Sequence, residues 1–301
     1  MNLEETLRRA SKKIWKELEP VSYTQHLIHN VREEALTSMA LKELAKSNCS
    51  FIDKIEMISS DVEKQTGYDF ELAIGSKKRR EYIRLFIQSK RLYGNNCNSS
   101  YNALKPTQAL QLIDFSRDKK SFPLYAFYNH LTENDDVLKD YYNSITQFDR
   151  RCLGFTITSA YTVKEKKCNK FNDYHFNSGR NLTPYVYSYN HFFRHLFFFY
   201  SDYTKHLSIP FHDLSYLTLD LAKKINAKHK ELQKKNTLPF FFFFFPGFEN
   251  LMGGDEDIIP ILRHTTVDDL VTSFRSRTLE GGADQDSFNP KALVIIDTDE
   301  G

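Results

Sequence analysis

The segment Tyr82–Lys90 (YIRLFIQSK) is rich in β-branched and aromatic residues and predicts a strand. Strand side chains alternate, so Tyr82, Arg84, Phe86, Gln88 and Lys90 share one face while Ile83, Leu85 and Ile87 share the other. Asp69–Ile74 (DFELAI) predicts a short apolar-rich strand before it, and the basic run Lys77, Lys78, Arg79 and Arg80 supplies the turn of a hairpin. Asp69 and Glu71 share one face, and Asp69, at the strand start, falls near the Gln88 and Lys90 end. A carboxylate, an amide oxygen and an ammonium then converge, a set sufficient for metal-assisted phosphodiester hydrolysis. Carboxylate and neutral oxygen donors suit Mg²⁺, which prefers octahedral oxygen ligation and keeps several waters. The ion lowers the pKa of bound water and neutralises charge on the scissile phosphate. A compact ammonium such as Lys90 orients the attacking water or stabilises the pentacovalent charge. Each feature also has a bland counterpart. Glu71 reads as hairpin surface, Glu34 as a charged helix face beside Arg32 and Glu33, and the basic run as a solvated turn within reach of nucleic-acid phosphates.

The elements that must position these residues read as an α/β protein. Leu3, Leu7, Ala10 and Ile14 recur at helical spacing over residues 3–18, up to the stop at Pro20. A second helix is expected over Tyr23–Lys46, while Phe51–Ile58 fits helix and strand equally. A helix over Thr107–Arg117 and a buried strand over Leu124–Tyr128 follow the hairpin, and strand, strand, helix, strand is an α/β core. Farther on, Phe155–Val163 alternates like a strand, Pro184–Tyr203 and Asp213–Lys234 look helical, Asp268–Arg277 is a short helix and Ala292–Ile296 a last strand.

The run Thr66 to Glu71 (TGYDFE), with Gln88 of IQSKR nineteen residues after Asp69, resembles the D…(E/Q)xK core of PD-(D/E)XK nucleases, the restriction endonuclease-like fold. The Gln-x-Lys-Arg form is similar to the Mrr-like branch. Similarity to an uncharacterised bacterial family of this type extends to Glu33–Thr37 (EEALT), Glu63, Gln108–Phe115 (QALQLIDF) and Pro123–Asn129 (PLYAFYN), so it spans roughly residues 30–130. The resemblance implies a mixed sheet flanked by helices, Mg²⁺ or Mn²⁺ as cofactor and nucleic acid, DNA rather than RNA, as substrate in bacterial defence. It assigns Asp69, Gln88 and Lys90 to the motif, with Glu63 or Glu34 as the upstream acid and Asp69, Gln88 and Glu63 as metal ligands. Arg91, Gln108 and the basic turn Lys77–Arg80 become substrate contacts. The neutral Gln88 removes one anionic ligand, so metal affinity leans on Asp69 and Glu63. The implied organisation is a helical extension (1–30), a nuclease-like α/β core (31–150) and an aromatic-rich α+β region (151–301).

Composition closes off other classes. The 301 residues are 41% hydrophobic and 27% charged, which excludes a disordered chain. A net charge of +2 gives no global pull toward polyanions, so any nucleic-acid site is a local patch. Four widely spaced cysteines contain no CxxC pair and fit a reducing cytoplasm. The N-terminal residues mix both charge signs and lack the apolar run of a signal peptide or anchor. The 25 Phe and 17 Tyr cluster at His191–Tyr200 and Phe240–Phe248, both too short to span a bilayer. They read as core, or as an exposed patch for a protein partner, a second copy of the chain or a membrane surface. His191 and His195 have the spacing of a zinc pair but lack the glutamate of HExxH. Two rivals to a nuclease therefore stand: a catalytically inactive relative that binds nucleic acid or a partner, and an interaction or effector protein acting through its aromatic surface.

Overall fold

The computed structural model describes residues 2–19, 31–57, 69–96, 98–101, 104–134, 138, 149–166, 169–171, 208–234, 257, 259–279 and 292–299. They form an α/β fold whose mixed sheet runs in the order β1-β9-β2-β3-β5-β6-β7. The strands are β1 (Ile52–Met57), β2 (Phe70–Ser76), β3 (Glu81–Tyr93), β4 (Ser100–Tyr101), β5 (Phe122–Tyr128), β6 (Phe155–Ser159), β7 (Ser208–Pro210), β8 (Ile261–Leu262) and β9 (Ala292–Asp297). The helices are α1 (Leu3–Leu18), α2 (Glu33–Lys46), α3 (Pro106–Asp118), α4 (Ala160–Lys166), α5 (Leu219–Lys234) and α6 (Val267–Leu279), with 3-10 helices at Arg150–Gly154 and Phe211–Tyr216. Among the described residues, no helix is long and apolar enough to cross a membrane. The aromatic runs Phe192–Tyr200 and Phe240–Phe248, and with them His191 and His195, lie outside the described residues, as does the first part of the expected second helix.

The chain divides into two compact units that alternate along the sequence. The first comprises Met1–Cys49, Ser89–Lys105 and Tyr125–Tyr216; the second comprises Ser50–Gln88, Pro106–Leu124 and Leu217–Gly301. In the second, β2 and β3 form the expected antiparallel hairpin, from Phe70 opposite Ile87 to Ser76 opposite Glu81. Gly75 is required at its mouth, because a Cβ there would lie 2.1 Å from the Glu81 carbonyl oxygen. Arg80 closes the turn with a φ of 54°. On the other side of β2 lies β9, parallel to it, and β9 pairs antiparallel with β1. This pairing resolves the ambiguous Phe51–Ile58 segment as a strand. One face of this ladder buries Ala73, Tyr82, Leu293 and Ile295 against Leu270, Val271 and Phe274 of α6.

In the first unit, α1 buries Leu3, Leu7, Ala10, Ile14, Trp15 and Leu18, with Asn2 capping its N-terminus through the Glu5 amide at 2.8 Å. It packs on α2 and on both 3-10 helices. Gly154 permits the close approach, since a Cβ there would meet the Ser11 carbonyl oxygen at 2.2 Å. The alternation at Phe155–Val163 holds only through Ser159, where β6 gives way to α4. The expected long helix over Asp213–Lys234 is likewise two elements, the 3-10 helix Phe211–Tyr216 and α5.

Candidate active site

β3 is one regular 13-residue strand that carries Gln88 at the end of the second unit and Lys90 within the first. Their side chains leave the strand on the same side. In the second unit the register ends at Phe70 opposite Ile87, so one step further brings Asp69 level with Gln88. Asp69 and Gln88 are 7% and 3% exposed.

In the first unit, Lys90 is 6% exposed and acts electrostatically on Glu33, at the start of α2. Burial pushes the Glu33 carboxyl above its ordinary value, and the charges of Lys90 and Arg91 and the Arg91 backbone N–H offset this only in part. That N–H donates to Glu33 Oε1 at 3.0 Å. The neighbouring Glu34, half-exposed, adds a like charge that raises Glu33 further. The sequence names Glu34 or Glu63 as the upstream acid; Glu33, which meets β3 through the Arg91 N–H, is not singled out there. The signal was present: Glu33 stands four residues before Thr37 and seven before Ala40, on the stripe that α2 buries.

Arg91, a candidate substrate contact, works locally on the opposite side of β3. Its Nη1 donates to the Val31 carbonyl at 2.6 Å and its guanidinium lies 5.0 Å from the Tyr93 ring centroid. Ser89 shares this side. Its hydroxyl is 3.2 Å from Thr37 Oγ1 and 3.1 Å from the Tyr128 hydroxyl, which in turn lies 2.8 Å from Thr37 Oγ1. Thr37 and Tyr128 thus brace α2, β3 and β5 behind Lys90.

The basic turn lies at the far end of β3, about 23 Å from Gln88 along seven strand residues. Its four side chains are exposed. Lys77 pairs with Asp53 at 3.1 Å, Arg79 with Asp220 at 2.8 Å and Asp299 at 3.3 Å, and Arg80 reaches the His264 carbonyl at 3.5 Å. Gln108 is half-buried in the first turns of α3. Glu63 lies outside the described residues.

Glu71 overturns its reading as hairpin surface, being fully buried. Two arginines neutralise it. Arg84 Nε sits 2.9 Å from Oε1, and Arg277 of α6 holds Oε2. Both guanidiniums also lie over the Phe86 ring, at 5.8 and 5.6 Å from its centroid. Arg277 stands 206 residues from Glu71, so no local pattern announces the pairing.

Asp69 and Gln88 offer a carboxylate and an amide oxygen, hard donors that fit Mg²⁺ better than a soft transition metal. Among the described residues, no group of three or more His, Cys, Asp or Glu side chains gathers as metal ligands.

A family of unknown function, DUF6615, matches residues 3–215. The chain belongs to it. No curated protein matches the chain, and neither does any solved structure. The DUF6615 match includes Glu33, Glu34, Glu63, Asp69, Gln88, Lys90 and Arg91, together with Gln108 and the basic turn. It ends before α5, α6 and β9.

Proposed function

We propose that this chain is a metal-dependent nuclease of restriction endonuclease-like fold that hydrolyses phosphodiester bonds of DNA in the cytoplasm, in bacterial defence. The observation that supports the reading best is the regular course of β3, which turns Gln88 and Lys90 to one side, with Asp69 level with Gln88 by register. In this reading Asp69 and Gln88 hold Mg²⁺ or Mn²⁺ with Glu63. The bound ion supplies a water of lowered pKa and neutralises charge on the phosphate. Lys90 donates hydrogen bonds to the phosphoryl oxygens as negative charge builds on them. Glu33, beside Lys90, keeps that ammonium oriented, and Thr37, Ser89 and Tyr128 fix the strand that carries it. Aromatic clusters in 151–301 serve a protein partner or a second copy of the chain.

The burial of Asp69, Gln88 and Lys90 and the neutrality of Gln88 favour a second reading, a relative that binds nucleic acid without cutting it. Incubation with plasmid, single-stranded DNA and RNA, in Mg²⁺, Mn²⁺ or EDTA, separates the two. Cleavage that needs metal and disappears in Asp69→Ala and Lys90→Ala supports the nuclease. Binding without cleavage in any metal supports the second reading.

A further inference from the structure

The first unit contains a cleft of about 460 Å³ between α1, the C-terminal part of α2 and the 3-10 helix Arg150–Gly154. Among the described residues, Arg9, Lys12, Lys13, Lys16, Arg150 and Arg151 line it, against two carboxylates, Glu19 and Glu43. The whole chain carries a charge of just +2, so this is a strong local concentration of positive charge.

We propose that this cleft binds the sugar-phosphate backbone of a nucleic-acid strand without reading its sequence. Three features favour a strand over a single small anion. The α1 cations follow one helix stripe, Arg9, Lys12 or Lys13, and Lys16, so they span about 10 Å in steps of about 5–6 Å and do not converge on a point. Their present partners are weak ones to displace. Arg9 meets Glu5 at 3.4 Å with both side chains about half exposed, Lys13 meets Glu17 at the surface, and the Lys16 side chain makes no hydrogen bond or ion pair among the described residues. Asp149 holds two cleft cations more firmly, Lys12 at 3.1 Å and Arg151 through two bonds at 2.9 and 2.8 Å.

The third feature is the floor. Trp15 is 1% exposed, packed 4.8 Å from the His130 ring and lying under Arg150 at 5.8 Å. Single-strand binders without sequence preference combine a positively charged groove with aromatic faces on which successive bases stack. Here the indole is covered by a guanidinium, leaving charge as the recognition element. Glu43 of the cleft and Glu33 beside Lys90 are ten residues apart on α2, about 15 Å along its axis.

The inference deepens the nuclease reading but is tested apart from it, by binding in EDTA. The probe is a fluorescein-labelled DNA of about twenty nucleotides, in a thymine-only and a mixed version, titrated by anisotropy across a salt series. Lys13→Ala and Lys16→Ala should each lower the slope of log affinity against log salt by about one and cost roughly tenfold in affinity near 0.1 M salt, equally for both sequences. Lys224→Ala, the same charge change on exposed α5, should leave the slope unaltered. Should Lys13→Ala unfold, Arg9→Ala with Lys16→Ala carries the same test. Unchanged slopes in the cleft variants, an equal loss in Lys224→Ala, or competition by thymidine monophosphate as effective as by the oligonucleotide would each overturn the inference. Binding with these slopes but no cleavage in metal keeps the cleft and removes the nuclease.

Discussion

Two acids of this protein, one in each unit, meet opposite circumstances. Glu71 in the second unit is gripped by Arg84 and Arg277, two cations on one carboxylate, and Ser273 contacts both arginines. Glu33 in the first unit feels Lys90 and Arg91, yet burial still outweighs them and holds its carboxyl above the ordinary value. The first arrangement is a closed structural clamp between sheet and α6. In the second, burial prevails over the neighbouring cations, a perturbation associated with working sites. Buried charge by itself therefore does not mark function.

The largest effect should come from opening the clamp. Glu71→Ala strands two guanidiniums in the core and is expected to cost about 3–5 kcal/mol in urea unfolding. Replacing all three residues together, Glu71→Leu, Arg84→Met and Arg277→Met, should restore stability to near or above wild type. If the triple variant is as unstable as Glu71→Ala, the cluster does more than hold α6 down.

Next in size, Lys90→Ala and Asp69→Ala should each lower metal-dependent DNA cleavage by about 10²-fold or more while keeping a cooperative thermal transition. Gln88→Glu, which restores an anionic ligand, should bind Mn²⁺ more tightly by calorimetry and still cut. Wild-type cleavage by either alanine variant would make the two acid clusters alike in being structural.

Behind Lys90, Thr37→Val removes one corner of the Thr37, Ser89 and Tyr128 hydroxyl triangle and should cost about 1–2 kcal/mol in urea unfolding.

The smallest effect carries a sign. Because the folded-state value of Glu33 lies above its ordinary 4.5, the folded protein holds that proton more tightly than the unfolded chain does. Its contribution is complete below pH 4.5 and is lost as pH rises through the raised value. Glu33→Gln, neutral at every pH and still able to accept from the Arg91 N–H, should therefore equal or exceed wild-type stability at pH 7, with the difference shrinking toward pH 4.5. Urea midpoints across that range measure it, and a variant less stable at pH 7 would mean the cations govern Glu33 after all.

Local chemistry made some of this legible and distant pairing hid the rest. The β2–β3 hairpin was readable because its residues, its alternation and its basic turn all agree. The common face of Gln88 and Lys90 followed from period two alone. Phe51–Ile58 stayed ambiguous because its strand identity depends on β9, some 240 residues later. Glu71 was misread for the same reason, since its partner Arg277 arrives from α6. The stripe on α2 does distinguish Glu33 from Glu34, and only the salience of the charged pair obscured it. The cleft on α1 escaped notice because its cations looked like an ordinary solvated helix face until Arg150 and Arg151 faced them across it.

The position of β9 sets a timetable for synthesis. It hydrogen-bonds β1 on one side and β2 on the other, yet it is made after every other described strand. Between Ser76 and Ala292 the ribosome adds more than two hundred residues, roughly ten to forty seconds of elongation. For that interval the inner edges of β1 and β2 are without the strand that separates them, and unpaired edges invite pairing with another chain. A nascent chain of this design needs shielding while it is being made, and its yield should respond to chaperone supply more than the stability of the finished protein suggests.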